Sequence, residues 1–151
     1  MIKFNEHFLA PNELRYVEES LKSGEIGADG PFTARATTLL EQAFPGAHVL
    51  ITTSCTHALE MCALLYDLGP TDEVIMPSFT FTSTANAVTL RGARIRFADI
   101  SSETFCMGLS ELERAITKQT TAVVAMHYAG VGADIARIRD FCTAHNLKLI
   151  E

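Results

Sequence analysis

Small polar side chains follow a short apolar run near the middle of the sequence. Residues 49–51 are apolar, and the run is long enough for a strand but too short for a helix. Ser54, Cys55 and Thr56 come shortly after it. Ser54 and Thr56 are residue types that cap helices, so we expect a helix to begin here and to end before Gly69. That helix is apolar on nearly every face, which predicts a buried position.

A helix N-terminus that follows a strand has a specific chemistry. Its first backbone N–H groups have no partner within the helix, and the positive end of the helix dipole lies there, so it binds anions and most often phosphate. The hydroxyl groups of Ser54 and Thr56 would add donors. The alternative is an ordinary capped turn that binds nothing, and the turn alone does not decide between the two.

A second turn adds aromatic side chains. A strand is predicted at residues 74–76, and Phe79 and Phe81 follow it among small hydroxyl residues. An aromatic ring at the end of a neighbouring strand offers a flat surface on which a ligand can stack. Together the two turns favour a planar, phosphorylated ligand.

The elements that position these turns alternate along the chain. A helix, a glycine-containing loop at 25–30 and a second helix come first, and strands and helices alternate from residue 48 onward. Alternation predicts an α/β fold with right-handed βαβ crossovers and a mostly parallel sheet. In such sheets ligands bind at the carboxyl ends of strands. We therefore expect the turns at 52–56, 78–84 and 127–130 to lie along one edge. Helices are predicted over 12–23, 31–44 and 54–68. Three more helices are predicted to begin at a cap at Thr82 or Ser83, at a capping box at 110–113 and at Asp134. Further strands are predicted over 94–97, 121–126 and 147–151.

Composition excludes several classes of function. The net charge is 12 − 18 = −6 with no basic run, which argues against a nucleic-acid partner. No segment has the roughly 20 apolar residues of a membrane span, and the N-terminus lacks the apolar core of a signal peptide, so we predict a cytoplasmic protein. The four cysteines and five histidines show no metal-ligand spacing, and we predict no metal site.

The motifs resemble those of the DegT/DnrJ/EryC1/StrS sugar aminotransferases, pyridoxal-phosphate enzymes of fold type I. The motifs that carry the resemblance are SCT at 54–56, GPTDEVIMP at 69–77, FTF at 79–81 and TAN at 84–86, followed by RGARIRFADI at 91–100, AITKQTTAVVAMHYAG at 115–130 and HNLKLIE at 145–151. The resemblance implies that residues 1–151 are the N-terminal part of one large domain of that fold, truncated before its second half.

The resemblance also implies roles for individual residues, with pyridoxal 5′-phosphate as the cofactor. Position alone favours a histidine that bonds the backbone at a strand end for His127, and a plain connector for the loop at 25–30. The implied cofactor-binding residues are Ser54, Cys55, Thr56, Phe81 and His127, and Phe81 would stack on the cofactor ring. The implied contacts to the nucleotide sugar are Gly27 and Asp29.

The implied reaction transfers an amino group from an amino-acid donor, glutamate in the family, to the C4 keto group of a nucleotide-linked sugar. Within the family, the motifs are most similar to members that form dTDP-4-amino-4,6-dideoxygalactose from a dTDP-4-keto-6-deoxyhexose. That product serves enterobacterial common antigen and lipopolysaccharide biosynthesis. Family members are homodimers, which we expect of the full-length protein.

The family's catalytic groups have no counterpart among these residues. The aspartate that pairs with the pyridine nitrogen would follow Glu151, and the Schiff-base lysine would lie further on; neither Lys118 nor Lys148 matches its motif. We therefore expect the 151-residue chain alone to be inactive. The alternatives are an inactive truncated remnant, a PLP-binding half-domain, or a dehydratase of the same fold that uses histidine in place of the lysine.

Overall fold

The computed structural model describes residues 2–3 and 6–151. The chain divides into two compact units, Met1–Ile51 and Thr52–Glu151. No helix within the described ranges has both the length and the apolar character needed to cross a membrane. The helices and strands of the described residues are α1 (Glu13–Ser23), α2 (Pro31–Ala43), α3 (Cys55–Leu65), β1 (Glu73–Pro77), α4 (Thr82–Thr89), β2 (Arg94–Ala98), α5 (Leu109–Ala115), β3 (Thr120–Val124), α6 (Ile135–Ala144) and β4 (Lys148–Ile150).

The first unit contains helices α1 and α2. Gly24 ends α1 in the left-handed conformation at φ 72°, which glycine adopts without steric cost. The Tyr16 and Phe32 rings join the two helices with centroids 5.7 Å apart. Leu39 and Leu40 are exposed, although the sequence pattern predicts them on a buried face. The reason is that α1 contacts α2 near its beginning, and the described part of this unit has no third helix to cover the far end.

The second unit is built on a parallel sheet in the order β2-β1-β3-β4. The prediction of an α/β fold with helices crossing between parallel strands is thereby confirmed. Alternate residues of a strand face opposite sides of the sheet, so the core has two layers. Val74 and Val124 pack on one face with residues of α3 and α4. Ile75 and Val123 pack on the other face with residues of α5 and α6.

The strand predicted at residues 49–51 is absent from the structure. A short apolar run becomes a strand only when a neighbour supplies the hydrogen bonds of a ladder. The four strands of the described residues pair with one another and with nothing else in the sheet. Leu50 and Ile51 are correspondingly exposed. The prediction of a strand here was wrong for this chain.

Helix α3 is shorter and less buried than predicted. It ends at Leu65 rather than Leu68, and Ala63 is its only buried residue. Leu64 and Leu65 are exposed, because only one side of the helix packs on the sheet. An evenly apolar helix gives no indication of which side that is.

Two predicted helix starts were also wrong in detail. Helix α4 follows Phe81, and helix α5 follows Gly108, so neither begins with a capping hydroxyl. Serine and threonine suit the first turn of a helix as well as its cap, and Ser110 bonds the carboxylate of Glu111 instead of a backbone N–H. The cap predicted at Asp134 is confirmed, since its carboxylate accepts the Arg137 N–H at 3.4 Å.

Candidate functional site

Three segments singled out in the sequence lie at the carboxyl edge of the sheet: the turn after β1, the turn after β3 and the start of helix α3. Residues 78–81 follow β1, residues 125–130 follow β3, and β1 pairs directly with β3. Glu151 follows β4, which pairs with the other side of β3. Helix α3 packs against helix α4, whose first residue is Thr82.

The start of α3 presents unpaired donors. Ser54 caps the helix in an extended conformation, and its hydroxyl oxygen accepts the His57 backbone N–H at 3.2 Å. The backbone N–H groups of Cys55 and Thr56 donate to no other group in the described part of the protein. Free N–H groups at a helix N-terminus carry partial positive charge, so this point attracts an anion.

A hydroxyl pair joins the start of α3 to the start of α4. Thr56 Oγ1 lies 2.8 Å from Ser83 Oγ, and Ser83 is only 8% exposed. Because one of the two hydroxyls donates to the other, the accepting hydroxyl retains its own proton for a further partner. The bond therefore brings two helix N-termini and a spare hydroxyl donor to one place.

The segment after β1 is anchored to the segment after β3. Thr80 Oγ1 donates to the Met126 sulfur at 2.8 Å, so the 2.8 Å bond between Thr80 and Thr84 has Thr84 as its donor. This fixes the backbone on either side of Phe81. The Phe81 ring is 72% exposed and is free to contact a ligand.

An aromatic cluster, Phe79, Phe105 and Tyr128, lies beside this anchor. The ring centroid of Phe79 is 4.7 Å from that of Tyr128 and 5.8 Å from that of Phe105. Phe79 packs on these two rings but is 41% exposed, so the prediction that it packs inward while Phe81 faces the ligand is not confirmed. Both rings nevertheless line one pocket of about 290 Å³, so the specific role of Phe81 remains a prediction. The pocket is lined by Phe79, Thr80, Phe81, Met126 and Tyr128.

His127 occupies a defined orientation at the end of β3. Its Nδ1 accepts the Ala133 backbone N–H at 2.9 Å, so in the neutral ring the proton is on Nε2. Nε2 lies 3.0 Å from Glu151 Oε1 and donates to it. The backbone contact is one of the two interpretations left open by the sequence. Its neighbours Met126 and Tyr128 line the pocket, and a direct role of His127 toward a cofactor stays a prediction.

Gly27 and Asp29 lie in the first unit, within the loop between α1 and α2. The loop is tight: a Cβ on Gly30 would come within 2.9 Å of the Glu25 carbonyl oxygen. Asp29 has a positive φ of 57°, a conformation that aspartate tolerates better than most residues. The sugar contacts predicted for Gly27 and Asp29 stay predictions.

Burial distinguishes the thiols of the second unit. Burial raises the pKa of the Cys142 thiol in α6. Burial also raises the pKa of the Cys62 thiol in α3, with a smaller contribution from nearby Cys55. Cys55 itself is exposed at the start of α3, which makes it the accessible thiol of the candidate site.

Sequence reasoning missed three contributors to this region. Ser83 was predicted only as a possible helix cap. Its place shortly after a strand is the signal that its hydroxyl could bond a residue of the turn at 52–56, as it does with Thr56. Glu151 was predicted as the last residue of a strand at 147–151, whereas β4 ends at Ile150 and Glu151 bonds His127. The contact of Phe105 with Tyr128 left no signal, because the two residues are joined by packing rather than by a motif.

Comparison with known proteins identifies the family. The model of the DegT/DnrJ/EryC1/StrS aminotransferase family matches residues 8–151. The chain belongs to this family. Aminotransferases of the family bind pyridoxal phosphate or its amine form, PMP, and those with solved structures are of fold type I.

Individual family members agree with that assignment. The chain is 32% identical over its whole length to a GDP-perosamine synthase of Vibrio cholerae, covering 41% of that protein. It is 36% identical to a dTDP-4-dehydro-2,3,6-trideoxy-D-glucose 4-aminotransferase of Saccharopolyspora spinosa, again over its whole length and covering 40% of the relative. A putative sugar aminotransferase from Streptococcus pneumoniae, solved in its PMP form, superposes with a TM-score of 0.85 at 32% identity, covering 92% of this chain and 35% of its own. The chain thus spans about 40% of the length of the curated relatives it matches.

Proposed function

We propose that the protein carrying this chain is a pyridoxal-phosphate-dependent aminotransferase that aminates the C4 keto group of a nucleotide-linked 6-deoxyhexose. The observation that carries the proposal is the 2.8 Å bond between Thr56 and Ser83, which unites two helix N-termini next to the exposed ring of Phe81. An anion site and a stacking surface are the two features that such a cofactor needs from this part of a fold.

The donor set suits a phosphate monoester. The backbone N–H groups of Cys55 and Thr56 would donate to its oxygens, and the helix dipole of α3 would favour its charge. The Ser54 hydroxyl accepts from His57, so its own proton is available to the same anion. The spare proton of the Thr56–Ser83 pair adds one more donor. Among the described residues, no acidic side chain takes part in these hydrogen bonds. A carboxylate at this point would repel the phosphate.

The remaining groups suit the ring. Phe81 would stack on it, and His127 would lie at the end of the neighbouring strand with its Nε2–H directed to Glu151. When bound, the cofactor would carry the amino group from donor to acceptor, and its conjugated ring would take up the electrons released during the transfer. The residues of this chain bind and orient it.

The finer substrate assignment rests on the family. Two relatives are named for sugars linked to GDP and to dTDP, and one of those names specifies a 2,3,6-trideoxy sugar. We propose a dTDP-4-keto-6-deoxyhexose as acceptor, glutamate as donor, and Gly27 and Asp29 as contacts to the nucleotide sugar. The product would be dTDP-4-amino-4,6-dideoxygalactose, used for enterobacterial common antigen and lipopolysaccharide. We further propose that residues 1–151 are the N-terminal part of one large domain in a homodimer.

The thiol of Cys55 gives a direct test of the cofactor site. It is exposed at the point where the phosphate would bind, so an occupied site should protect it from a thiol reagent. The ligand is 4-deoxypyridoxine 5′-phosphate, which has the ring and the phosphate but no aldehyde to react with amines or thiols. Labelling is followed by mass spectrometry in the intact protein that carries this chain. At a ligand concentration ten times Kd, mass action predicts that labelling slows roughly tenfold.

Two controls make the test specific. Unphosphorylated 4-deoxypyridoxine should protect far less, because it lacks the charge that the helix N-terminus binds. Labelling of Cys62, on the same helix but away from its start, should be unaffected. Equal labelling of Cys55 with and without the phosphorylated ligand would contradict the proposal. Amination of a dTDP-4-keto-6-deoxyhexose with glutamate then tests the substrates.

A further inference from the structure

The pocket between the ends of β1 and β3 has an apolar lining, of which the cofactor proposal uses only Phe81. Its lining consists of aromatic rings, a thioether and a single threonine, namely Phe79, Thr80, Phe81, Met126 and Tyr128. We propose that this pocket is the subsite for the C6 methyl group of the sugar, so that it selects 6-deoxyhexoses over hexoses with a 6-hydroxyl. The inference rests on the proposed function, because it assumes that the protein binds a nucleotide-linked sugar.

The polar atoms of the lining are already engaged. Thr80 Oγ1 donates to the Met126 sulfur and accepts from Thr84, each at 2.8 Å. The same bond occupies the Met126 sulfur. A sugar hydroxyl in this pocket would exchange its bonds to water for at most one bond, to the remaining lone pair of Thr80 Oγ1, whereas a methyl group would lose nothing. The one other hydroxyl of the lining belongs to Tyr128, and the test below addresses it.

The aromatic wall is held by backbone that is unfavourable for its residues. Ala129 has φ 50° and Gly130 has φ 84°, which form a tight two-residue turn closed by Tyr128 and Val131 with bonds of 3.1 and 2.8 Å. Phe105 also lies in the left-handed region, at φ 57°. Such conformations cost free energy in non-glycine residues and persist where the surroundings enforce them, which occurs most often at ligand sites.

The two strained segments support each other. The Cys106 thiol, next to Phe105, lies 3.5 Å from the Val131 carbonyl oxygen and 3.4 Å from the Thr104 carbonyl oxygen, and it donates to one of the two at a time. Phe105 and Tyr128 therefore belong to segments that are bonded together as well as packed. Phe79 is nevertheless 41% exposed, so the wall is fixed but not covered. A fixed, partly exposed apolar surface is suited to shape discrimination, because it cannot rearrange to accommodate a hydroxyl.

The position of the pocket fits the methyl group rather than the charged parts of the substrate. It lies on the same sheet edge as the Thr56–Ser83 pair and shares Phe81 with the proposed cofactor surface. The residues that line it carry no charge at neutral pH, so the diphosphate of a nucleotide sugar would find no counter-charge here. A small apolar substituent close to the reacting carbon is the part of the substrate that matches.

The test compares matched ligands that lack the keto group and therefore cannot react. Affinities for dTDP-6-deoxyglucose and dTDP-glucose, and for GDP-6-deoxymannose and GDP-mannose, are measured by calorimetry on the intact, cofactor-loaded protein. The 6-deoxy member of at least one pair should bind roughly 10- to 100-fold more tightly, the range typical of a single substituent in an apolar pocket. Equal affinities within the pairs that bind would overturn the inference and leave the proposed function standing. Failure of all four to bind would overturn both.

Variants separate the pocket from other causes. Phe79→Ala should reduce the preference to within about threefold, and Phe79→Leu should retain it, because leucine keeps an apolar wall. Met126→Gln, similar in size but able to bond a hydroxyl, should shift the preference toward the 6-hydroxy sugars. Tyr128→Phe should leave the preference in place; its loss there would mean that the Tyr128 hydroxyl, and not the apolar wall, reads the substituent. Phe97→Ala, on the edge strand β2, is the matched control and should change nothing.

One competing occupant is distinguished by the same variants. If the aromatic cluster stacked on the nucleobase, Phe79→Ala would weaken free dTDP or GDP as much as the complete sugar nucleotides. The inference expects the affinity for the free nucleotide to be unchanged. A loss of several-fold or more for the free nucleotide would overturn it.

Discussion

The hydroxyl oxygens of Thr56 and Ser83 lie 2.8 Å apart, although the two residues are separated by 27 positions in the chain. Each belongs to the first turn of a different helix, and each helix begins at the same edge of the sheet. The bond therefore aligns two sets of unpaired backbone N–H groups. Its removal should affect an anion bound there more than it affects the fold.

The first prediction concerns that bond. Thr56→Val keeps the shape of the side chain but removes the hydroxyl, so the affinity for 4-deoxypyridoxine phosphate should fall by about 1.5–3 kcal/mol, the range for a hydrogen bond to a charged group. Thr56→Ser is the control and should bind nearly as well as the original protein. Calorimetry measures both. If Thr56→Val binds as tightly as Thr56→Ser, the hydroxyl has no role in holding the phosphate.

The second prediction concerns the exposed ring of Phe81. Phe81→Ala should weaken binding of the same ligand by roughly 1–3 kcal/mol through lost contact area and stacking. Stability should change little, because the ring is largely exposed. Phe97→Ala removes another exposed phenylalanine away from the site and serves as the comparison. Unchanged ligand affinity in Phe81→Ala would exclude stacking by this residue.

Much of the fold could be predicted from the sequence because its signals are local. The apolar runs that form β1, β3 and β4 alternate with helical segments, and alternation leads to a parallel sheet with its ligand edge at the carboxyl ends. The expectation that the turns containing Thr56 and Phe81 lie near one another used the same rule, together with a strand at residues 49–51 that the structure lacks. The bond between Thr56 and Ser83 bears this out for the turns, while the identity of their ligand stays a prediction.

The rest could not be predicted, because it depends on partners distant in the sequence. Residues 49–51 have the composition of a strand but no neighbour to pair with in the described part of the chain. Ser83 is a residue type that often caps helices, but its hydroxyl bonds the Thr56 hydroxyl instead of a backbone N–H. The aromatic cluster is joined by packing of Phe79, Phe105 and Tyr128, which share no periodic pattern.

The third prediction concerns the turn that carries Tyr128. Ala129 lies at φ 50°, where a Cβ is unfavourable. Ala129→Gly should therefore leave the free energy of unfolding unchanged or raise it by up to about 1 kcal/mol. Gly130→Ala puts a Cβ at φ 84° and should lower stability by about 1 kcal/mol or more. Nothing lies within 4 Å of the added Cβ at Gly130, so any loss reports backbone strain rather than a clash. Urea denaturation measures both variants, and equal effects of the two would contradict a strained turn.

The fourth prediction is a loss of stability at alkaline pH. Burial raises the pKa of Cys142 above its ordinary value of 9.0, so above that pH the unfolded chain releases this proton while the folded protein retains it. The unfolded state then binds fewer protons, and stability falls as pH rises, by at most about 1.4 kcal/mol per pH unit for one group. Cys142→Ala should lower stability at neutral pH through lost packing but make the decline above pH 9 less steep. Cys55→Ala, at an exposed position, should change the slope much less, because its only effect is a minor contribution to the raised pKa of Cys62.

The last prediction concerns the ring of His127. The Ala133 N–H occupies Nδ1, so the neutral ring should be found almost entirely with its proton on Nε2, and that proton should exchange slowly because Glu151 accepts it. Nitrogen chemical shifts of the labelled imidazole distinguish the two tautomers directly. Glu151→Gln keeps an oxygen acceptor and should preserve both features. Glu151→Ala should preserve the tautomer, since Ala133 still fixes it, while speeding exchange of the Nε2 proton. A mixture of tautomers in the original protein would show that the backbone contact does not orient this histidine and does not direct its Nε2–H toward Glu151.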